Sequence, residues 1–447
     1  MGTEITERLA DFSSETMYEK IPEEVLQFTK GLILKTVAGM VAGSTMPSAK
    51  KVTKVIKDRK LAGEAGVIGC GFKTSIWEAI FLNAFFAHNS ELEDDRINGG
   101  ASWDITVIPL LFPLAENLKL SGRSLLEATA VGLEVHVRTC LFPTAHVGIA
   151  VFPGAVGPAV AAAKAFGLST EQTSAAIGLA LQGASVVQQN LGTDSHYFES
   201  ALQSLQGHMA AELAGIGMTS NPDIAKYISG VLGEDKVVPE KMIENLGKKW
   251  MLQDIAVKRY PCCFFNHRQI NILLELMKQN NLSYEDIEMI EIHISPADEL
   301  CNRPEPKTMA DLQFSFQHVL GAAMLDGDVD FRHTNDIGIV RKPRYREARS
   351  KVNVIGHPDR STSFMEEPAH VVVRTKDGRE YSGTRKYAIG SPAEPMPIEE
   401  FPQLYRKFTK GILTSKQIER TSAAIQNLEG LNDIEELMHI LTFRKIR

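Results

Sequence analysis

Met289-Ile290-Glu291-Ile292-His293-Ile294-Ser295 places isoleucines on alternate positions with Glu and His between them, the period of a half-buried strand. The residues before Val257 read differently, as helix after helix. Pro22–Ala42 carries Val25, Phe28, Leu32, Leu34 and Val37 at helical spacing, and 75–88 and 120–138 follow the same period, the latter opening on a Ser-Gly-Arg-Ser turn. Stretches 155–166, 170–189 and 200–217 are rich in Ala and Gly, and small residues every third or fourth position let helices pack closely. From Val257 the texture changes: besides 289–295, HVVVRTKDGREYSGTRKY at 370–387 alternates around a hairpin turn at Asp377-Gly378, with helices expected at 267–279 and 311–325. After a Pro-rich linker at 392–402 the helical pattern returns, as at 434–441. The expected fold is mainly α. Residues 1–256 and 392–447 form the helical part, and a smaller α+β domain is inserted at 257–391.

Composition narrows the function. The 447 residues carry 48 basic and 55 acidic side chains, a net charge of −7, with no basic block, so a nucleic-acid surface is not expected. A small anionic substrate is compatible with this balance, because a pocket can be positive on a negative molecule. The five cysteines (Cys70, Cys140, Cys262, Cys263, Cys301) include one adjacent pair and no CxxC, which reads as reduced thiols of a cytoplasmic protein. The opening MGTEITERLADFSSE is acidic and polar, unlike a signal peptide. No run of about 18 apolar residues lacks a charge or a Gly/Pro interruption, so no membrane span is expected.

Four segments hold residues suited to chemistry. His88-Asn89-Ser90-Glu91-Leu92-Glu93-Asp94-Asp95-Arg96 crowds carboxylates at the end of an apolar helix; mutual repulsion raises some of their pKa values and can make an acid or a base, and the alternative is a solvated acidic loop. Lys258-Arg259-Tyr260-Pro261-Cys262-Cys263-Phe264-Phe265-Asn266-His267 combines cations suited to carboxylates with Tyr, His and Lys that can move protons. The alternative is a buried turn with apolar cysteines. Zinc is not expected there, because adjacent cysteines rarely serve one ion and no second Cys/His pair follows. In Asn302-Arg303-Pro304-Glu305-Pro306 the prolines stiffen Arg303 as a carboxylate clamp, or the segment is a surface turn. His318 follows in an otherwise apolar helix, where a lone histidine is commonly a core residue. Gly192-Thr193-Asp194-Ser195-His196-Tyr197 reads as a polar loop between two small-residue helices, holding function or merely connecting. Gly66–Thr74 superficially resembles a P-loop, but Phe72 separates Gly71 from Lys73 and the strand–loop–helix context is missing, so no nucleotide site is expected.

Taken in order, these segments resemble the MmgE/PrpD family over nearly the whole chain. Val67-Ile68-Gly69 … Lys73-Thr74-Ser75, Asn83-Ala84 … Ala87-His88 and Glu91-Leu92-Glu93-Asp94 are similar to its passage ending in DFDD. The Ala-rich stretch Gly154–Leu168, Lys258-Arg259-Tyr260-Pro261 … His267, Asn302-Arg303-Pro304 and Phe314-Ser315 … Leu325-Asp326-Gly327 look like its central helix and its K-x-YP and RP … FS … DG stretches. The resemblance implies an all-helical domain, an α+β lid, a homodimer needing no metal or cofactor, and an active site between the domains. It also implies that Glu91 with its acidic turn, Lys258, Cys263 (a histidine in decarboxylase-like members) and His318 line the pocket. The chain departs from the family pattern in having Ser102-Trp103-Asp104 where His-Pro-Ser is common, Gly148 with His146 nearby where a histidine is common, and His196 where a loop lysine is common.

The function this implies is a cofactor-independent lyase of the 2-methylcitrate dehydratase type acting on a small di- or tricarboxylate. A base removes the proton α to a carboxylate, an acid protonates the leaving hydroxyl, and cations hold the developing enolate. His196 is the leading proton carrier. Lys258, Glu91, Asp94 and Tyr260 are the other catalytic candidates, and Arg303, Cys263, His318, Arg96 and His267 the substrate-binding ones. The alternatives are an epimerase of the iminodisuccinate epimerase type, which needs two proton carriers and no leaving-group acid, a cis-aconitate-type decarboxylase, and a non-catalytic helical dimer that kept only the fold.

Overall fold

A computed structural model describes residues 2–96, 101–102, 104–140, 154–183, 193–363 and 366–442. The chain forms two compact units, Met1–Ile255 with Pro397–Arg447, and Ala256–Met396. The first is built from α1 (Gly2–Glu15), α2 (Glu23–Gly43), α3 (Pro47–Asp58), a hairpin of β1 (Ala65–Val67) and β2 (Phe72–Thr74), α4 (Ile76–Asn89), a short pair of β3 (Asp95–Arg96) and β4 (Ala101–Ser102), α5 (Asp104–Leu118), α6 (Gly122–Arg138), α7 (Val156–Phe166), α8 (Thr170–Ala180), α9 (Asp194–Gly215) and α10 (Ile224–Leu232).

The small residues of these helices do what their spacing suggests. A methyl group on Gly132 of α6 would meet the Ala161 side chain of α7, and one on Gly43 of α2 would collide with the Phe86 carbonyl of α4. Such contacts exclude any larger side chain and fix the helix separations. By length and composition α2 could cross a membrane, yet 89% of its most apolar window is buried inside the protein. Its two lysines are buried with partners: Lys30 Nζ lies 3.0 Å from Glu429, and Lys35 pairs with Asp94. The Ser-Gly-Arg-Ser turn caps α6, Ser121 Oγ accepting from the Ser124 N–H at 3.1 Å, and a Ser169/Gln172 capping box starts α8.

Within its helical frame Gly66–Thr74 folds as the β1–β2 hairpin, and two expectations are corrected in this unit. Gly69 and Gly71 adopt φ of 74° and 73°, which suits glycine, and their N–H groups donate to Leu441 and Thr442 carbonyls at 2.8 Å. Lys73 is held by Glu116 at 2.7 Å. The helix expected at 170–189 ends at Ala180 and passes into a 3₁₀ turn, with 184–189 outside the described residues. The polar loop expected at 192–197 is also absent in that form: Gly192 lies outside the described residues, Thr193 is extended, and Asp194 to Tyr197 are the first turn of α9, where an aspartate complements the helix N-terminus.

The second unit contains α11 (His267–Gln279), β5 (Ile287–Ile294), α12 (Met309–Gln313), α13 (Phe316–Asp326), α14 (Phe331–Thr334), α15 (Pro343–Ser350), β6 (Val352–Gly356), β7 (Ala369–Thr375) and β8 (Glu380–Arg385). The sheet order is β6-β5-β7-β8, with β5 parallel to β6 and antiparallel to β7. Ile290, Ile292 and Ile294 of β5 are fully buried, so the alternation at 289–295 marks the core face. The β7–β8 turn runs through Gly378 at φ 82°. The single helix expected at 311–325 breaks at Phe314-Ser315, because Ser315 Oγ accepts from the His318 N–H at 3.1 Å and caps a new helix. The chain then returns to the first unit as α16 (Phe401–Thr409), α17 (Ser415–Gln426) and α18 (Glu435–Thr442). The fold is mainly α, with a helical unit drawn from both chain ends and an inserted α+β unit.

Candidate active site

The acidic turn is buried rather than solvated. His88, Asn89, Ser90, Glu91, Leu92, Glu93 and Asp94 are all within 3% of complete burial, so the solvated-loop alternative fails. The Glu91 N–H donates to the His88 carbonyl at 2.9 Å, and Glu91 adopts φ 55°, a left-handed conformation costing about 1–2 kcal/mol outside glycine. The turn is held from α2. Lys35 donates to the Leu92 carbonyl and pairs with the Asp94 carboxylate, both side chains fully buried. Asp104, at the start of α5, accepts from the Asp94 N–H at 2.7 Å and from the Thr36 hydroxyl at 2.6 Å. Burial drives the Asp104 pKa upward, opposed by Lys35. One ammonium therefore sits among buried carboxyl groups, a setting in which a carboxyl can retain a proton.

His196 lies against the start of that turn. Its Nε2 is 3.2 Å from Nε2 of His88, and His88 Nδ1 is 3.1 Å from the Ser200 hydroxyl. The remaining nitrogen, His196 Nδ1, is buried without a hydrogen-bond partner among the described residues, 3.7 Å from the Glu199 carboxylate. Only one of the facing Nε2 atoms can carry hydrogen when both rings are neutral. If His196 holds it, Ser200 accepts from His88 and donates to the Ala84 or Tyr197 carbonyl, each 3.3 Å away, leaving a lone pair on His196 Nδ1. If His88 holds it, Ser200 donates to His88 and His196 Nδ1 bears hydrogen. The same contacts thus make His196 a base in one arrangement and an acid in the other. The structure thus sets His196 against His88, the residue on which the turn carrying Glu91 and Asp94 begins. For Arg96, the third candidate of this unit's turn, only the backbone is described, paired with Ala101.

The other candidates belong to the second unit. Lys258 is 99% buried, following Val257, whose N–H donates to the Gly390 carbonyl at 2.8 Å. Burial pushes the Tyr260 phenol up to about 12, and its oxygen accepts from Asn271 Nδ2 at 3.1 Å. His267 is buried, with Nε2 3.2 Å from the Cys262 carbonyl, stacked on Phe264 and edge-on to Tyr260. Cys263 donates its N–H to the Gln313 carbonyl at 2.9 Å. Arg303 is fixed less by its prolines than by hydrogen bonds: Nε donates to Leu300 O at 3.0 Å and Nη1 to Asp311 at 2.8 Å, with the guanidinium over Phe314. It remains partly exposed, as a clamp must. His318 follows the core-residue alternative. It is fully buried, its Nε2 is 2.7 Å from the His333 carbonyl, and burial lowers its pKa to about 4.

Sequence comparison supplies the family. Profiles of the MmgE/PrpD N-terminal domain and C-terminal domain match residues 7–233 and 260–430. The chain belongs to the MmgE/PrpD family. Cis-aconitate decarboxylase of Homo sapiens is 26% identical over 467 residues, covering 98% of this chain and 94% of its own length. The Mus musculus enzyme of that name is 25% identical, covering 98% and 93%, and that of Aspergillus terreus (strain NIH 2624 / FGSC A1156) 23% identical, covering 98% and 96%. Within this MmgE/PrpD chain, Trp103, His146 and Gly148, three of the positions where the sequence departs from the family pattern, lie outside the described residues.

Sequence reasoning missed Lys35, Asp104, Ser200 and Glu199. Lys35 had a readable signal, a single cation inside the apolar run Leu32–Gly43. Asp104 had none, since its pairing with the Asp94 backbone depends on the tertiary fold. Among the described residues, no three His, Cys, Asp or Glu side chains group as metal ligands.

Proposed function

We propose that this protein is a lyase that moves a proton at the carbon α to a carboxylate of a small di- or tricarboxylate. The observation supporting this is the His196–His88–Ser200 chain beside the buried acidic turn, with His196 Nδ1 next to Glu199 and without a hydrogen-bond partner among the described residues. In the hydro-lyase reading, His196 Nδ1 takes the α proton, and Glu199 and the turn stabilise the resulting imidazolium. The acid for the departing hydroxyl is assigned to the buried acidic cluster, in which burial drives the Asp104 pKa upward. In the α+β unit, Lys258 and Arg303 are the candidate carboxylate-binding cations.

A second reading, decarboxylation, is favoured by the names of the full-length relatives. There the carbanion forms by loss of CO₂, and His196 in its hydrogen-bearing arrangement returns a proton to carbon. Both readings, and a homodimer as the working assembly, are tested by incubating the protein with hydroxy- and unsaturated di- and tricarboxylates in heavy water and following proton NMR, with its mass measured by light scattering. A new alkene signal from a hydroxy acid supports dehydration. CO₂ release from cis-aconitate supports decarboxylation. Deuterium at carbon without net conversion points instead to epimerisation, and no exchange with any acid overturns the proposal.

A further inference from the structure

Two of the buried cysteines are neighbours. The Cys301 thiol, at the end of a 3₁₀ helix over Pro296–Cys301, shares the Asn266 side-chain amide with Cys263. Asn266 Nδ2 ties the place together, donating to the Cys263 carbonyl at 3.1 Å and contacting Cys301 Sγ at 3.8 Å. Cys301 is completely enclosed, whereas Cys263 keeps 6% of its surface. The neighbouring Cys262 is also enclosed, but consecutive Cα atoms stand about 3.8 Å apart, short of the usual disulfide range of roughly 4.4–6.8 Å. Cys301 is therefore the natural partner of Cys263. All five cysteines are thiols here.

We infer that Cys263 and Cys301 form a modification site, a dithiol that a hydroperoxide converts to a disulfide. The Cys263 sulfur, as thiolate, attacks the peroxide oxygen and breaks the O–O bond; the departing alkoxide or hydroxide takes the thiol proton, giving an alcohol or water and a sulfenic acid at Cys263. The Cys301 sulfur then attacks the Cys263 sulfur, and its proton leaves with the sulfenic hydroxyl as water. Two thiols are oxidised and one peroxide is reduced. Burial and the adjacent Cys263 push the Cys301 thiol well above its ordinary value, and the first attack falls to Cys263, which alone of the two keeps exposed surface. The bond joins the segment carrying Lys258 and Tyr260 to the segment carrying Arg303. Its consequence for activity rests on the proposed reaction; the cross-link itself does not.

The test exposes the full chain to a small excess of hydrogen peroxide, alkylates the remaining thiols, and maps tryptic peptides without reduction. The expected product links Tyr260–Arg268 to Gln279–Lys307 with loss of two hydrogens, and dithiothreitol releases it. Cys262→Ser should still cross-link, and Cys301→Ser should instead hold a dimedone-reactive sulfenic acid at Cys263. Recovery of both peptides alkylated, a link through Cys262, or sulfinic acid at Cys263 beside an alkylated Cys301 each overturns the inference. The wild-type map and Cys262→Ser decide the matter even if Cys301→Ser fails to fold. Activity on polycarboxylates, where present, should fall with the cross-link and return with dithiothreitol. If the reduced protein turns over none of them, the proposed reaction fails while the peptide map still decides the dithiol.

Discussion

Lys35–Asp94 in the helical unit and Arg303–Asp311 in the α+β unit are both cation–carboxylate pairs, but they differ in burial. The first has both side chains fully enclosed; the second leaves 22% and 23% of its side chains exposed. A buried pair that loses one member leaves a charge in low dielectric, at a cost of about 3–5 kcal/mol, while a partly exposed pair contributes about 0–1 kcal/mol. The helical unit thus uses a charge to fix a strained turn, and the α+β unit keeps one where solvent reaches it. Lys35→Met should accordingly lose about 3–5 kcal/mol in urea unfolding. Lys35→Met with Asp94→Leu should recover much of that loss, since no charge remains stranded. A single substitution costing under about 1 kcal/mol would break the contrast.

The α+β unit meets burial differently at His318, by enclosing a neutral ring. Burial lowers its pKa from 6.5 to about 4. Between those values the unfolded chain holds the proton and the folded chain does not, so stability is intact above pH 6.5 and falls as the pH drops toward 4. At 1.36 kcal/mol per unit the contribution is about 3 kcal/mol at pH 4. His318→Gln should be less stable at pH 7 but lose less between pH 6.5 and 4 than the wild type. Parallel pH curves for the two proteins would remove His318 as the cause.

The sequence made the helical packing and the α+β insertion legible because both rest on periodicity. Small residues in 155–166 and alternating isoleucines in 289–295 report the faces that must be buried. Local capping was harder to foresee: Ser315 divides one expected helix, and Asp194 draws His196 out of a loop into α9. In the site, the candidates could be named, but not their company. A run of carboxylates looks solvated until a lysine from a distant helix is seen beneath it, and nothing local to His196 announces His88, 108 residues earlier in the chain. Strand β6 passed unnoticed because Val352–Gly356 is short and carries only a brief apolar alternation.

The His88–His196 pair sharpens the comparison on the helical side, where the Lys35 pair supports structure and the histidines are proposed to support chemistry. His196→Gln retains a polar group toward His88 but carries no proton at neutral pH. The expected result is a fall in kcat of about 10²-fold or more with a far smaller change in KM. Stability should change by about 1 kcal/mol, the net worth of one hydrogen bond. Ser200→Ala, which cuts the chain behind His88, should lower kcat less and alter the pH profile. Unchanged kcat in His196→Gln would reduce the pair to packing and move the proton carrier to Lys258, Tyr260 or the Glu91–Asp95 turn.

The smallest expected effect tests the other half of the contrast most directly. Arg303 is held by Leu300 O, by Asp311 and over Phe314, more ordering than a partly exposed ion pair returns in stability. The carboxylate-binding role proposed for Arg303 is consistent with that ordering, because a guanidinium already fixed loses little freedom on binding. Arg303→Ala should therefore leave unfolding within about 1 kcal/mol of wild type and lower kcat/KM by at least about tenfold, the loss of roughly 1.5–3 kcal/mol expected for one charge-assisted contact. Arg303→Lys keeps the charge but cannot donate to Leu300 O and Asp311 while presenting a fork to a carboxylate, so it should recover only part of the loss. Asp311→Asn separates contact from orientation: the guanidinium survives with a weaker anchor, and a modest rise in KM with folding intact is expected. If Arg303→Ala instead unfolds like Lys35→Met while its folded fraction turns over normally, the two pairs are alike, and the partly exposed one is structural after all.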